Sequence, residues 1–129
     1  MNILEQIAAQ TRERIEAEKR QTPTEELIRQ IEAMEQKKSK QSFYEALKKP
    51  GMSYICEVKK ASPSKGLIAS DFPYLDIARE YEAAGASAIS CLTEPFRFLG
   101  KDAYLQEIAA QVEIPVLRKD FTVDEYMIY

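Results

Sequence analysis

Over residues 2–20 the side chains Leu4, Ile7, Ala8, Thr11 and Ile15 return at helical spacing, while Glu5, Arg12, Glu13, Glu16 and Lys19 take the other faces. That pattern predicts an amphipathic surface helix. Thr22-Pro23-Thr24-Glu25 then reads as an N-cap threonine, a proline at the first helical position and a capping-box glutamate. The helix it opens carries Leu27, Ile28, Ile31 and Met34 on one face and dissolves into the charged run Gln36-Lys37-Lys38-Ser39-Lys40. A second capping box, Ser42 to Glu45, predicts a short helix through Leu47, stopped by Lys49-Pro50-Gly51.

The pattern changes after Pro50. Tyr54 to Val58 is a short β-type run, followed by a Ser/Pro/Gly-rich loop and a helical segment from Tyr74 to Ala84 that ends at Gly85. The same order returns as strand Ala88 to Leu92, loop Thr93 to Gly100 and helix Asp102 to Ala110. It begins again with Val116 to Lys119, a loop, and a capping box at Thr122-Val123-Asp124-Glu125. A period of roughly 30 residues is that of βαβ units, so the expected fold is an α/β domain with a parallel sheet covered by helices. Two zones follow: a helical extension over residues 1–50 and strand–loop–helix units over residues 51–129. Only about two turns of the helix promised at Thr122 precede Tyr129, and three parallel strands with apolar edges make an awkward finished domain. Both features lead to the expectation that more chain follows.

Composition narrows the chemistry. Eighteen Lys and Arg against 21 Asp and Glu give a net charge of −3, with no broad basic surface for nucleic acid or acidic membranes. There is no His, so imidazole catalysis, His-ligated zinc and Ser-His-Asp or Cys-His nucleophile systems are out of reach. The two cysteines, Cys56 and Cys91, sit singly in apolar runs, as reduced buried thiols do. The N-terminus gains charge too early for a signal peptide, and no 18-residue apolar stretch occurs; a cytoplasmic location is the expectation.

The strongest local signal is Glu57-Val58-Lys59-Lys60-Ala61-Ser62-Pro63-Ser64-Lys65-Gly66. Strand side chains alternate, so Ile55, Glu57 and Lys59 share one face and Tyr54, Cys56 and Val58 the other. A carboxylate and an ammonium on a buried strand cost several kcal/mol, roughly, unless paired or used. The pair is either an exposed rim pair or part of a site of the kind that gathers at the carboxyl ends of parallel strands. The loop carrying Lys60, Ser62, Ser64, Lys65 and Gly66 has donors for an anionic ligand but no P-loop pattern, and judged alone reads first as a solvated turn. Arg118-Lys119-Asp120-Phe121 closes the third strand, with Leu117 and Lys119 on one face and Val116 and Arg118 on the other. Lys119 is either one member of a solvated ion-pair run or a partly desolvated general acid facing the same site as Lys59. Phe98 either walls an aromatic ligand or covers the sheet end. Tyr44, Tyr74, Tyr81 and Tyr104 read as packing residues.

Taken together, Ile55 to Gly66, Ala88 to Glu94 with Phe98 and Gly100, Pro115 to Phe121, and Asp124-Glu125-Tyr126 resemble the successive signatures of the indole-3-glycerol phosphate synthase family, in order and spacing. The charged helical N-terminus resembles the extension that precedes the barrel in that family. The resemblance implies a (β/α)₈ TIM barrel, of which this chain would hold the extension and strands 1 to 3, since such barrels need about 250 residues. It implies a lyase of tryptophan biosynthesis that decarboxylates and dehydrates 1-(2-carboxyphenylamino)-1-deoxyribulose 5-phosphate as it closes the indole ring, with neither metal nor organic cofactor. Lys119 would then be the general acid at the substrate carbonyl, and Lys59 would hold the anthranilate carboxylate. Glu57 would orient both lysines, Ser62 would contact the substrate, and Phe98 and Phe121 would line the aromatic pocket. The second catalytic carboxylate and the phosphate site would lie on strands 4 to 8, so the isolated chain is expected to be inactive or nearly so. The alternative is a noncatalytic half-barrel that associates through open strand edges with another copy or with a complementary C-terminal half. A barrel of the phosphoribosyl-anthranilate isomerase kind fits less well with Lys59, Lys119 and the Ser-Pro-Ser sequence.

Overall fold

A computed structural model describes residues 1–34 and 41–129, so the charged run Gln36 to Lys40 lies outside the described residues. The chain forms two compact units, one of Met1–Lys38 with Phe121–Tyr129 and one of Ser39–Asp120.

In the first unit, α1 (Ile3–Gln21) begins in a capping box. Asn2 accepts from the Glu5 amide at 2.8 Å, and the Glu5 carboxylate takes the Asn2 amide at 3.1 Å. Ile7, Thr11 and Ile15 are the buried members of its predicted face, with the Thr11 hydroxyl returned to the Ile7 carbonyl at 2.8 Å. Helix α2 spans Thr24–Ala33 and buries no residue fully. The capping box expected at Thr22 does not form: Pro23 is the N-cap and no side chain bonds there. Thr22 instead ends α1, giving its amide to the Glu18 carbonyl at 2.8 Å, because proline forces the residue before it into extended backbone. At the other end of the chain the helix expected from Thr122 is replaced by a single 3₁₀ turn, Glu125–Ile128. Its N-cap is Asp124, which accepts from the Tyr126 amide at 2.8 Å and from Lys19 Nζ at 2.6 Å. A charge-assisted carboxylate outcompetes a threonine hydroxyl two residues earlier. Tyr126 and Met127 pack on Ile15, flanked by Leu27 and Val123, and the Tyr126 hydroxyl donates to the Thr22 carbonyl at 2.8 Å.

The second unit holds α3 (Phe43–Lys48), β1 (Ile55–Val58), β2 (Ala61–Ser62), β3 (Gly66–Leu67), α4 (Tyr74–Ala83), β4 (Ala88–Leu92), α5 (Asp102–Gln111) and β5 (Val116–Lys119). Ser42 caps α3 by accepting from the Glu45 amide at 3.1 Å. Strands β1, β4 and β5 form a parallel sheet in the order β1-β4-β5, with Glu57 level with Ser90 and Leu92 level with Lys119. Every residue of the central strand β4 is buried. Val58, Ile89 and Cys91 form a core with Ala78 of α4 and Ile108 of α5, so both helices cover the same face. Helix α4 ends in a Schellman motif: Ala86 N–H bonds the Tyr81 carbonyl and Gly85 N–H the Glu82 carbonyl, each at 3.0 Å, with Gly85 at φ +97°. The loop after β1 is not a simple turn, because β2 and β3 pair antiparallel as a hairpin, Ala61 opposite Leu67. Tyr74, Tyr81 and Tyr104 pack against the core as expected, whereas Tyr44 is 68% exposed beneath the Lys48 ammonium. Among the described residues no helix is long and apolar enough to cross a membrane.

Candidate active site

Alternation sends Glu57, Lys59, Ser90 and Lys119 to the sheet face away from α4 and α5. There one carboxylate gathers the cations. Glu57 Oε2 accepts from Lys119 Nζ at 2.7 Å and from the Ser90 hydroxyl at 3.2 Å, and Glu57 Oε1 lies 3.5 Å from Lys59 Nζ. The two lysines, from strands that are not neighbours, therefore meet at one acid. Burial pushes the Glu57 carboxyl up, but the bond to Lys119, that cation's field and the Ser90 hydroxyl outweigh it and hold the group below its ordinary value. Ile55 and Leu117, on the same face, remain 49% and 43% exposed.

Ser62 is buried in the hairpin, where its hydroxyl accepts from the Lys65 amide at 3.1 Å. Phe98 is half-buried in the loop that leaves the carboxyl end of β4. Phe121 is half-buried as well but belongs to the first compact unit, apart from the one that holds the lysines.

Three features escaped the sequence. Ser90 is the hydroxyl that completes the Glu57 cluster; its only signal was a polar residue within an apolar strand on the same face as Ala88 and Leu92. Glu94 is 1% exposed, and its carboxylate accepts from three successive amides, of Phe96, Arg97 and Phe98, at 2.8, 2.8 and 2.9 Å. Thr93 ties the ends of two strands: its amide bonds the Lys119 carbonyl at 3.0 Å, and its hydroxyl donates to Asp120 at 2.6 Å while accepting from Arg118 Nε at 3.1 Å. Thr93 thus holds the Lys119 carbonyl and the side chains of both residues that flank Lys119.

The cysteines face elsewhere. Cys91 is fully buried under the helices, and burial, with a smaller push from the Asp102 charge, raises its thiol to about 11; Cys56 is partly buried. Among the described residues no group of three His, Cys, Asp or Glu side chains is placed to hold a metal ion. The cluster is therefore one acid, two primary ammonium groups and a hydroxyl at the carboxyl ends of parallel strands. Such a set can bind an anionic group and pass a proton to an oxygen held beside it.

Comparison with known proteins shows the family of the chain. The model of the family described as indole-3-glycerol phosphate synthase matches residues 4–129. The indole-3-glycerol phosphate synthase of Ruminiclostridium cellulolyticum is 52% identical over 127 residues, covering 98% of this chain and 48% of the relative. That of Endomicrobium trichonymphae is 55% identical over 127 residues, covering 98% and 49%. That of Lachnoclostridium phytofermentans is 48% identical over 137 residues, covering 98% and 51%. The chain spans about half the length of the curated relatives it matches.

Proposed function

The chain belongs to the indole-3-glycerol phosphate synthase family, and from that premise we propose that it supplies the N-terminal catalytic half of a (β/α)₈ barrel closing the indole ring. Residues 1–50 are the extension that precedes the barrel, and residues 51–129 its first three strand units. The observation that carries the proposal is the placement of Glu57 between Lys59 and Lys119 on one sheet face. A substrate with a carboxylated aryl amine at one end and a ketose phosphate at the other needs an anion anchor and a proton donor to its carbonyl, a few ångströms apart.

In this scheme Lys59 pairs with the anthranilate carboxylate and Lys119 protonates the ketone oxygen. The aryl carbon that bears the carboxylate attacks the activated carbonyl carbon, forming the new C–C bond. Loss of CO₂ returns its bonding pair to the ring, and the protonated hydroxyl then leaves as water while the amine-bearing carbon gives up a proton, completing the indole. Glu57 holds the two ammonium groups apart and oriented, and Ser90 fixes the carboxylate that does so. Ser62 contacts the substrate, and Phe98 walls its aryl ring. No metal or organic cofactor is required by these steps. The phosphate site and a second acid come from the other half of the barrel.

Adding the C-terminal half of the Ruminiclostridium relative to this chain and following the product by its indole fluorescence tests the proposal. Turnover is expected only in the mixture, and Lys119→Met should lower it by about 10²- to 10⁴-fold, the usual weight of a general acid. No turnover in a mixture that assembles, while the relative's own two halves are active together, would overturn it.

A second reading is favoured by the sheet order. Among the described residues strands β1 and β5 lie at its edges, each with one side unpaired within the sheet, and Ile55 and Leu117 are half-exposed on the face away from α4 and α5. Such edges recruit another strand, from a second copy or a complementary half, without any catalysis. A light-scattering mass of one chain at high concentration would count against self-association.

A further inference from the structure

The loop between β4 and α5 is built around a buried acid that gathers three backbone amides. Glu94 Oε1 takes the Phe96 amide, and Oε2 takes those of Arg97 and Phe98. The backbone closes the same ring from the other side, where Gly100 N–H bonds the Glu94 carbonyl at 2.8 Å. Leu99 is held at φ +53°, a left-handed conformation that a leucine adopts only under restraint. Gly100 lies so close to the sheet that a Cβ on it would sit 2.3 Å from the Leu92 carbonyl oxygen. The loop is therefore pinned at both ends, by an acceptor of three amides and by a glycine that no larger residue can replace without movement. A carboxylate is the one side chain of this length that accepts on both termini.

We propose that Glu94 is a positioning residue: by gathering the amides of Phe96, Arg97 and Phe98 it fixes where Phe98 stands at the carboxyl end of β4, and with it the wall offered to an aryl substrate. The second part rests on the aryl-pocket reading of Phe98 given above. Glutamine has nearly the same shape but presents an NH₂ where an oxygen was, so at least one of the three amides must lose its acceptor.

Amide hydrogen exchange on the 129-residue chain tests the first part. Glu94→Gln should speed exchange about tenfold or more, the value of one lost bond, at one or more of the Phe96, Arg97 and Phe98 amides, and should shift the Phe98 ring resonances. Amides of Ala88–Leu92 should not change, and Glu94→Asp, which keeps both oxygens, should fall between. Protection of all three amides unchanged from the unmodified chain in Glu94→Gln would overturn the proposal. If that variant does not fold, NMR couplings across the hydrogen bonds, from the three amide nitrogens to the Glu94 carboxyl carbon of the unmodified chain, decide instead; their absence overturns it. In the reconstituted enzyme, Glu94→Gln should raise KM several-fold with a smaller loss of kcat, as Phe98→Ala should. A loss confined to kcat would count against positioning. If the amides open in Glu94→Gln while Phe98→Ala leaves KM unchanged, the loop restraint stands and the aryl-pocket reading fails.

Discussion

The two faces of the three-stranded sheet obey the same alternation and have opposite fates. On one, Val58, Ile89, Cys91 and Val116 meet α4 and α5 and form the apolar core. On the other, Ile55 and Leu117 are half-exposed, Ala88 and Leu92 of the central strand are buried, and a carboxylate, two ammonium groups and a serine gather among them. Parallel strands normally read as apolar on both faces because both are covered. Here the face under α4 and α5 supplies the apolar core, and the other carries, beside its apolar residues, charges that satisfy one another. The helix-covered core and the charged cluster are thus separated by a side-chain period of two.

That contrast can be broken by substitution. Ile108→Ala, deep under the covered face, should cost about 2–5 kcal/mol in urea unfolding, whereas Leu117→Ala on the open face should cost less than about 1 kcal/mol. Equal losses would mean that the two faces are equally packed. Gly100→Ala should cost about 1–3 kcal/mol, because its Cβ collides with the backbone of Leu92 rather than with a movable side chain. A circular-dichroism melt unchanged by that substitution would show that the loop yields at no cost.

The smallest effect is electrostatic. The Glu57 carboxyl is held below its ordinary value in the folded chain, so its contribution is present above about pH 4.5 and is lost as pH falls through the lowered value. Being partly exposed, the cluster should be worth under about 1 kcal/mol, and Glu57→Gln should flatten that part of the acid limb. Urea midpoints at pH 7 and pH 3 for both chains measure the difference; an identical acid limb in the variant would show that Glu57 gains nothing from its lysines. Asp124 is shifted downward chiefly by its bond to Lys19, and Lys19 upward by the same bond. The clamp between α1 and the 3₁₀ turn should accordingly hold across the middle of the pH range, weakening in acid as Asp124 is protonated and in strong base as Lys19 is neutralised.

Much of the sheet was legible because its signals are local. The strands Ala88–Leu92 and Val116–Lys119 fall where the apolar runs end, and Gly85 closes α4 because only a residue at ease with positive φ completes its motif. Local signals misled where two caps competed. Thr22 and Thr122 both match a capping box, yet a proline in one case and an ionised Asp124 beside Lys19 in the other took the helix start away. The hairpin of Ala61–Ser62 with Gly66–Leu67 was hidden because two-residue strands carry no periodicity. Glu94 looked like any polar loop residue, since nothing in one letter tells that its carboxylate turns back on the three amides that follow.

The sequence by itself determined the order of the three parallel strands and the helices between them, the face on which each strand residue points, and hence that Glu57, Lys59 and Lys119 could share a site; those properties depend on chain stereochemistry and spacing alone. Only the tertiary structure decided that they do. The bond from Lys119 to Glu57 joins residues 62 apart through a strand register set by packing, and Ser90 enters from the strand between them. The burial of Glu94 was decided in the same way. A carboxylate can leave water only where enough donors converge on it, and that convergence exists only once the loop has closed against the sheet.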